Sequence, residues 1–470
     1  MSIQTMRRAN VYAQSGAGYG PAGDMKEDLM FDFVRGLRSV GAGLAVICLI
    51  SACSSDGGEG PPIIAQPDRP VVETPPPTRE EERDRYDRRG FVKPPHMQSE
   101  NPVRVALLLP FTANSETAQK IASAMFDAAQ LAAFDAGDEQ FLLIPKDTKG
   151  TAEGAAGAAR SALSDGAEIL LGPLFAESVD AAAQVARAAG APLIGFSSDV
   201  SAAGDGVYLL SFPPEVEIKR VTDFAIAQDM TRFGVIAPQT EYGDRVSTSF
   251  SNEVFSRGGV VVHEERYQQD PDAMLAPAKR LARYSRDVIP NEMRHDYDPD
   301  APQASDSGYT RGYQAVLMPE QGTLLRALAP LLPYYNVNIN RVKLLGVSAW
   351  NNASLTREPA LRGGWFAAPD PSITKSFKDR YSSAFGANPP RLASLAYDAT
   401  LLAARLASNS SRRGRFDDRA ITDPNGYFGA DGLFRLNSDG SIERGLAILE
   451  IQPGGIRVVD PAPRSFVAGF

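Results

Sequence analysis

Apolar positions change their rhythm along this chain. From Val103 onward, short runs of consecutive apolar residues alternate with longer stretches where apolar positions recur every three or four residues. The runs VRVALLLP (103–110), FLLIP (141–145), EILLGPL (168–174) and APLIGFSS (191–198) read as strands buried on both faces. Between them, Asn114 or Ser115 opens a helix through Phe134 with Gly137 behind it. TAEGAAGAARSALSDG predicts a small-residue helix ending at Gly166, and residues 176–189 predict a third helix. The rhythm restarts after Phe212-Pro213-Pro214. Helices are expected over 215–228, 242–256, 273–285 and 321–332, with strands RFGVIAP, GGVVVHEE, YQAVLMP and VKLLGVS among them. GGWFAAPDP (363–371) leads into helices over 373–385 and 390–408.

Strand–helix alternation of this kind implies α/β architecture: two lobes, each a parallel sheet flanked by helices, joined by several crossovers. The tail from Gly432 differs. It reads strand, Asp-Gly turn, strand, Gly-Gly turn, strand, an antiparallel C-terminal hairpin system. Lobe one is expected over about 102–212 and 370–428, and lobe two over about 213–369 and 429–461, within a body of 102–470. A polar stretch at 286–312 carries no period and predicts a mobile loop. Between two such lobes lies a cleft edged by strand C-terminal ends and helix N-termini.

Upstream the pattern is different. VGAGLAVICLI (40–50) follows Arg35 and Arg38 and is too short to span a bilayer, which takes about 20 residues. It suits the apolar part of a signal peptide over 1–52. The residues ahead of Met25 and Met30 do not fit a signal, so the start is expected at one of those two methionines. Ile50-Ser51-Ala52 precede Cys53, resembling the bacterial lipobox, which implies that Cys53 carries the lipid and becomes residue one after cleavage. An ordinary signal peptide with a coincidental cysteine is the alternative. Ser54, rather than an aspartate, follows the cysteine and resembles the outer-membrane sorting pattern. Residues 53–101 are rich in proline, glycine and charge, and predict a disordered, extended tether.

Composition narrows the function classes. The 470-residue chain carries 57 acidic and 48 basic residues, a formal charge of -9, which argues against a nucleic-acid binder. Its two cysteines, Cys48 and Cys53, lie near the N-terminus, and its three histidines are His96, His263 and His295. No Cys–His metal spacing exists in the body, no cofactor is expected, and HEERY at His263 lacks a second histidine. No nucleophile elbow or phosphate loop is present, so an enzyme is not expected. Asp439 and Glu443 do not fit a calcium loop and predict a hairpin turn.

Site candidates follow from the strand ends. Asp147, Ser197, Ser198 and Asp199 edge the cleft from lobe one. Each reads either as a ligand contact or as a helix or turn cap. Gly172-Pro173-Leu174 makes a tight turn before a helix N-terminus, a place that suits an anion, but Leu174 and Phe175 are apolar. From lobe two come Tyr242, Trp350 and Asn351. Tyr242 also reads as an ordinary aromatic at a helix start, and Trp350 as packing. Tyr334 and Tyr335 read as core and loop support.

The order of elements resembles the type I periplasmic binding fold of the leucine/isoleucine/valine-binding proteins. The carriers are VRVALLLP, EILLGPLFAESV, APLIGFSSD, YGDRV (242–246) and LNSDGSIERG (436–445). GPLFAES, YQAVLMPEQG, the run 328–352 from LAPLLPYY to SAWNN, and GGWFAAPDP are similar to the penicillin-binding protein activator lipoproteins. The helical-repeat domain that some of those proteins carry has no counterpart in the sequence. That resemblance implies a non-enzymatic lipoprotein at the outer membrane, facing the periplasm. Such a protein binds a bifunctional penicillin-binding protein, a peptidoglycan synthase, and favours its active state. The alternative is a solute-binding protein of an amino-acid ABC transporter. Amino-acid binders place small polar residues where Leu174 and Phe175 stand.

Overall fold

A computed structural model of the chain describes residues 102–137, 140–285, 312–409 and 414–467, all within the unit Pro76–Phe470. The expected signal peptide, Cys53, the tether and the loop 286–311 lie outside the described residues.

Lobe one is built on a five-stranded parallel sheet in the order β2-β1-β3-β4-β5: β1 Val103–Leu109, β2 Phe141–Asp147, β3 Ile169–Leu171, β4 Leu193–Gly195 and β5 Val207–Leu209. Side chains alternate across a strand, so a run buried on both faces needs a layer on each. Val103, Val105, Leu107 and Leu109 of β1 enter one core with α1 (Glu116–Ala136) and α10 (Ala393–Asn409). Ala106 and Leu108 enter the opposite core, with α2 (Ala152–Ser164) and α3 (Ala176–Ala189). Helix starts follow local chemistry. The Ser115 hydroxyl accepts from Ala118 N at α1, and the Thr151 hydroxyl accepts from Gly154 N at α2 (3.0 Å). Gly137 closes α1 with a φ of 62°.

Lobe two holds a seven-stranded sheet, β15-β14-β10-β9-β8-β6-β7. Strands β6 (Arg232–Pro238), β7 (Val260–Tyr267), β8 (Ala315–Leu317), β9 (Lys343–Gly346) and β10 (Trp365–Ala368) are parallel. Strands β14 (Ala447–Gln452) and β15 (Gly455–Asp460) form the expected antiparallel hairpin, with β14 added antiparallel to β10. Its helices include α4 (Pro214–Ala227), α5 (Glu241–Ser256) and α6 (Leu275–Ala282). The helix expected over 321–332 is divided at Pro330 into α7 (Gly322–Leu328) and α8 (Leu331–Tyr334), because a proline has no N–H to continue the ladder.

The chain crosses between lobes three times: at Ser211–Pro213, at Pro369–Asp370 before α9 (Pro371–Phe385), and at Gly445–Leu446. The third crossing corrects the expected boundary at 429. A small antiparallel sheet, β11 (Tyr427–Gly429), β12 (Gly432–Leu436) and β13 (Ile442–Arg444), buries Phe434, Leu436 and Ile442 in the core of lobe one, and only β14 enters lobe two. Strand patterning shows that a segment is half-buried, not which sheet covers it. Asp439 makes the turn between β12 and β13, accepting from Ser441 N (2.9 Å) and Oγ (2.6 Å).

Candidate functional site

Both parallel sheets turn their C-terminal strand ends, and the helix N-termini that follow, toward the space between the lobes. The lobe-one edge carries the apolar Leu174 and Phe175, and its carboxylates Asp147 and Asp199 hold local bonds. Leu174 is buried in the lobe-one core. Phe175 stands at the N-cap of α3, where it gives no side-chain cap and packs beside that core, as does Phe111. Gly172 lets this turn form. Its φ is 87°, and a Cβ there would lie 2.3 Å from the Leu108 carbonyl oxygen. Asp147, ending β2, accepts from Thr112 N (3.2 Å), Thr112 Oγ1 (2.5 Å) and Lys149 N (2.9 Å). Burial pushes its carboxyl up, and these bonds outweigh burial and hold it below the usual range. The buried Ser197 hydroxyl accepts from Asp199 N (3.0 Å), and Asp199 accepts from Ser201 N (3.0 Å). That second bond holds the exposed Asp199 carboxyl below its ordinary range. Of the two readings open for Ser197 and Asp199, local capping accounts for both side chains.

Ser198 acts through its backbone. Its carbonyl accepts from Arg245 Nη2 at 3.0 Å. Arg245 belongs to the first turns of α5 in lobe two, and its guanidinium is held there by both oxygens of Glu215, in the first turn of α4. One side chain thus ties lobe two to the strand end of lobe one.

The lobe-two edge is acidic. Tyr242 sits at the start of α5, whose Thr240 cap accepts from Gly243 N (3.1 Å). Burial, then the carboxylates of Glu217, Glu320 and Glu215, push the Tyr242 phenol well above its ordinary value. Glu217 of α4 is 9% exposed. Its carboxylate accepts from Ser348 N (2.8 Å), behind β9. Burial, partly offset by Ser348, pushes the Glu217 carboxyl up. Glu320, behind β8, accepts from the Tyr267 hydroxyl (2.8 Å) and from Gln321 N (3.0 Å).

Trp350 is a correction to the expected cleft contacts. It is wholly buried in the lobe-two core, and its Nε1 donates to the Glu320 carbonyl at 3.1 Å. The indole fills the space that Gly346 leaves empty, so it supports the cleft floor from below. Asn351 follows it and is exposed. Sequence reasoning missed Glu215 and Glu217, because acids in a first helical turn read as ordinary partners of the helix dipole, and missed Arg245 and Glu320, whose partners lie far away in the chain. Two shallow surface grooves lie elsewhere, one of about 540 Å³ along Phe255 and Val260–Glu264, the other of about 380 Å³ between α2 and α3. His263 lies beside the first, within β7. Its Nε2 is 2.8 Å from Glu265 and its ring stacks on Tyr284 at 3.8 Å.

The sequence profile of the periplasmic binding proteins matches residues 102–452. The chain belongs to the periplasmic binding protein family. Solved structures agree with this fold. A protein from Rhodospirillum rubrum assigned as a branched-chain amino acid ABC transporter is 18% identical, with a TM-score of 0.62, covering 76% of this chain and 100% of its own. A branched-chain amino acid ABC transporter periplasmic ligand-binding protein from Burkholderia xenovorans is 16% identical, with a TM-score of 0.58, over 77% of this chain and 96% of its own. An ABC transporter substrate-binding protein from Desulfitobacterium hafniense, solved in complex with Leu, is 14% identical, with a TM-score of 0.51, over 76% and 100%. No curated protein sequence matches the chain. Membership implies a periplasmic location for this binding protein, and no helix among its described residues is long and apolar enough to cross a membrane.

Proposed function

We propose that this periplasmic binding protein is a non-enzymatic lipoprotein that binds a peptidoglycan synthase, a bifunctional penicillin-binding protein, and promotes its activity. The observation that carries this reading is the Arg245 bridge. The guanidinium that joins Glu215 to the Ser198 carbonyl ties the two lobes together through the chain's own groups. Beside it, Leu174 and Phe175 offer a ligand carboxylate no hydroxyl. A head of this kind works by presenting its surface. Lipid on Cys53 would hold it at the outer membrane, since each buried methylene contributes about 0.8 kcal/mol. The stretches 172–178, 313–322 and 328–352 resemble synthase-activating lipoproteins and point the same way.

A second reading is favoured by one observation. The Tyr242 phenol lies among the carboxylates of Glu217, Glu320 and Glu215, an arrangement suited to the ammonium of a small solute. One experiment separates the two. The purified full chain is mixed with a purified bifunctional synthase, and complex formation and the rate of glycan polymerisation are measured. A complex with faster polymerisation is expected. No complex, together with a micromolar ligand in an amino-acid and amine thermal-shift panel whose binding is lost in Glu217→Gln, would hand the assignment to solute binding.

A further inference from the structure

Two of the three crossovers meet at a single ring. Phe212, in the first, carries two guanidiniums, with the Arg391 carbon 3.5 Å from the ring centroid and the Arg444 carbon 4.4 Å away. Arg444 is the last residue of β13, directly before the third crossing, and its Nε donates to the Ser211 carbonyl in the first (2.8 Å). Arg391, just ahead of α10, donates to Asp431 (2.7 Å), whose same oxygen accepts from Ser394 Oγ (2.6 Å). The hinge is therefore pinned by cations, and their counter-charges are buried.

Asp398, on α10, is a further buried carboxyl near this cluster and makes no ion pair with it among the described residues. It is 1% exposed. Its Oδ1 accepts from Ala430 N (2.6 Å) and lies against β11 so closely that a Cβ at Gly429 would sit 2.1 Å from it. Among the described residues its Oδ2 is buried without a hydrogen-bond partner, as is Nη2 of Arg444. The charged groups around it are Asp431 from the turn between β11 and β12, Arg444 from β13 and Arg391 ahead of α10. Glu217 of α4 faces both arginines from lobe two. Tyr397, next along α10, also senses Asp398 and bonds to Arg380 of α9 and Asp135 of α1 (both 2.9 Å).

We infer that Asp398 makes the hinge proton-responsive: its neutral form keeps the packed crossovers seen here, and its ionised form loosens them by drawing water toward the Arg444–Phe212–Arg391 contact. Burial, and then the neighbouring Asp431 carboxylate, push the Asp398 carboxyl from 3.8 up to about 7, within the range an envelope experiences. The sign follows by linkage. A carboxyl raised in the packed state binds its proton more tightly there than in an open, hydrated state. Packing is therefore favoured below about pH 7 and weakens as pH rises through that value.

The test is hydrogen exchange on the full chain between pH 5.5 and 8.5, corrected for intrinsic rates, read in peptides spanning 207–216 and 440–448. Wild type is expected to lose protection in both peptides with a midpoint near 7. Asp398→Asn, neutral throughout, is expected to stay protected across the range. Asp431→Asn removes a like charge and is expected to move the midpoint to lower pH. Should Asp398→Asn fail to fold, the shift in Asp431→Asn decides alone. A wild-type profile flat with pH, a wild-type response retained in Asp398→Asn, or an unmoved midpoint in Asp431→Asn overturns the inference.

Discussion

Single residues in this protein are decided by what lies behind them. Trp350 shows this. A tryptophan after a strand end invites a reading as a ligand contact, yet the indole lies beneath the cleft, against the backbone of Gly346. A Cβ at Gly346 would fall 2.1 Å from the ring, so Gly346→Ala must displace the indole and, through its bond to the Glu320 carbonyl, the cleft floor. We expect that variant to lose about 1–3 kcal/mol of stability, the usual cost of overpacking, read as a lower urea midpoint. An unchanged midpoint would mean that the indole does not fill this space. Ser197 and Asp199 behave oppositely. They do reach the strand end, but each accepts a local backbone N–H, which residue type alone does not reveal.

At the scale of elements, runs and periods were legible wherever both faces of a strand or one face of a long helix are buried. The alternation of β1 between two cores needs no more than its seven residues. Short elements escaped notice. β5, Val207–Leu209, has three residues behind the turn Gly204-Asp205-Gly206, and the break at Pro330 follows from a proline's missing N–H, a signal that the helical period over 321–332 masked. The alanine-rich pattern of α2 has a sharper consequence. Ala155, Ala158, Ala159 and Ala162 share one core with Ala182, Ala183 and Ala186 of α3, so no space remains for longer side chains. Ala159→Leu is expected to destabilise the chain by about 1–3 kcal/mol, again by denaturant titration, although leucine is a good helix former. A variant as stable as wild type would show that the pair is loosely packed.

For the molecule as a whole, the relation between lobes is the functional variable, and a few polar contacts set it. The Arg245 bridge joins the two lobes, while the arginine cluster at Phe212 holds the crossovers. Arg245→Ala removes the first without disturbing either core. Its radius of gyration by solution X-ray scattering is expected to exceed that of wild type. Arg245→Lys is expected to follow it, since an ammonium cannot engage Glu215 through two nitrogens while reaching Ser198. Scattering curves identical to wild type would deny the bridge any part in closure.

The sequence by itself determined the two α/β lobes, their first two crossovers, the C-terminal hairpin and the apolar character of Leu174 and Phe175, because burial on both faces and helical periodicity are local properties. Tertiary structure alone decided the lobe to which β11–β13 belong, the burial of Trp350, and the meeting of Glu215, Arg245 and Ser198. Those outcomes depend on contacts between residues far apart in the chain, whose partners no local pattern specifies.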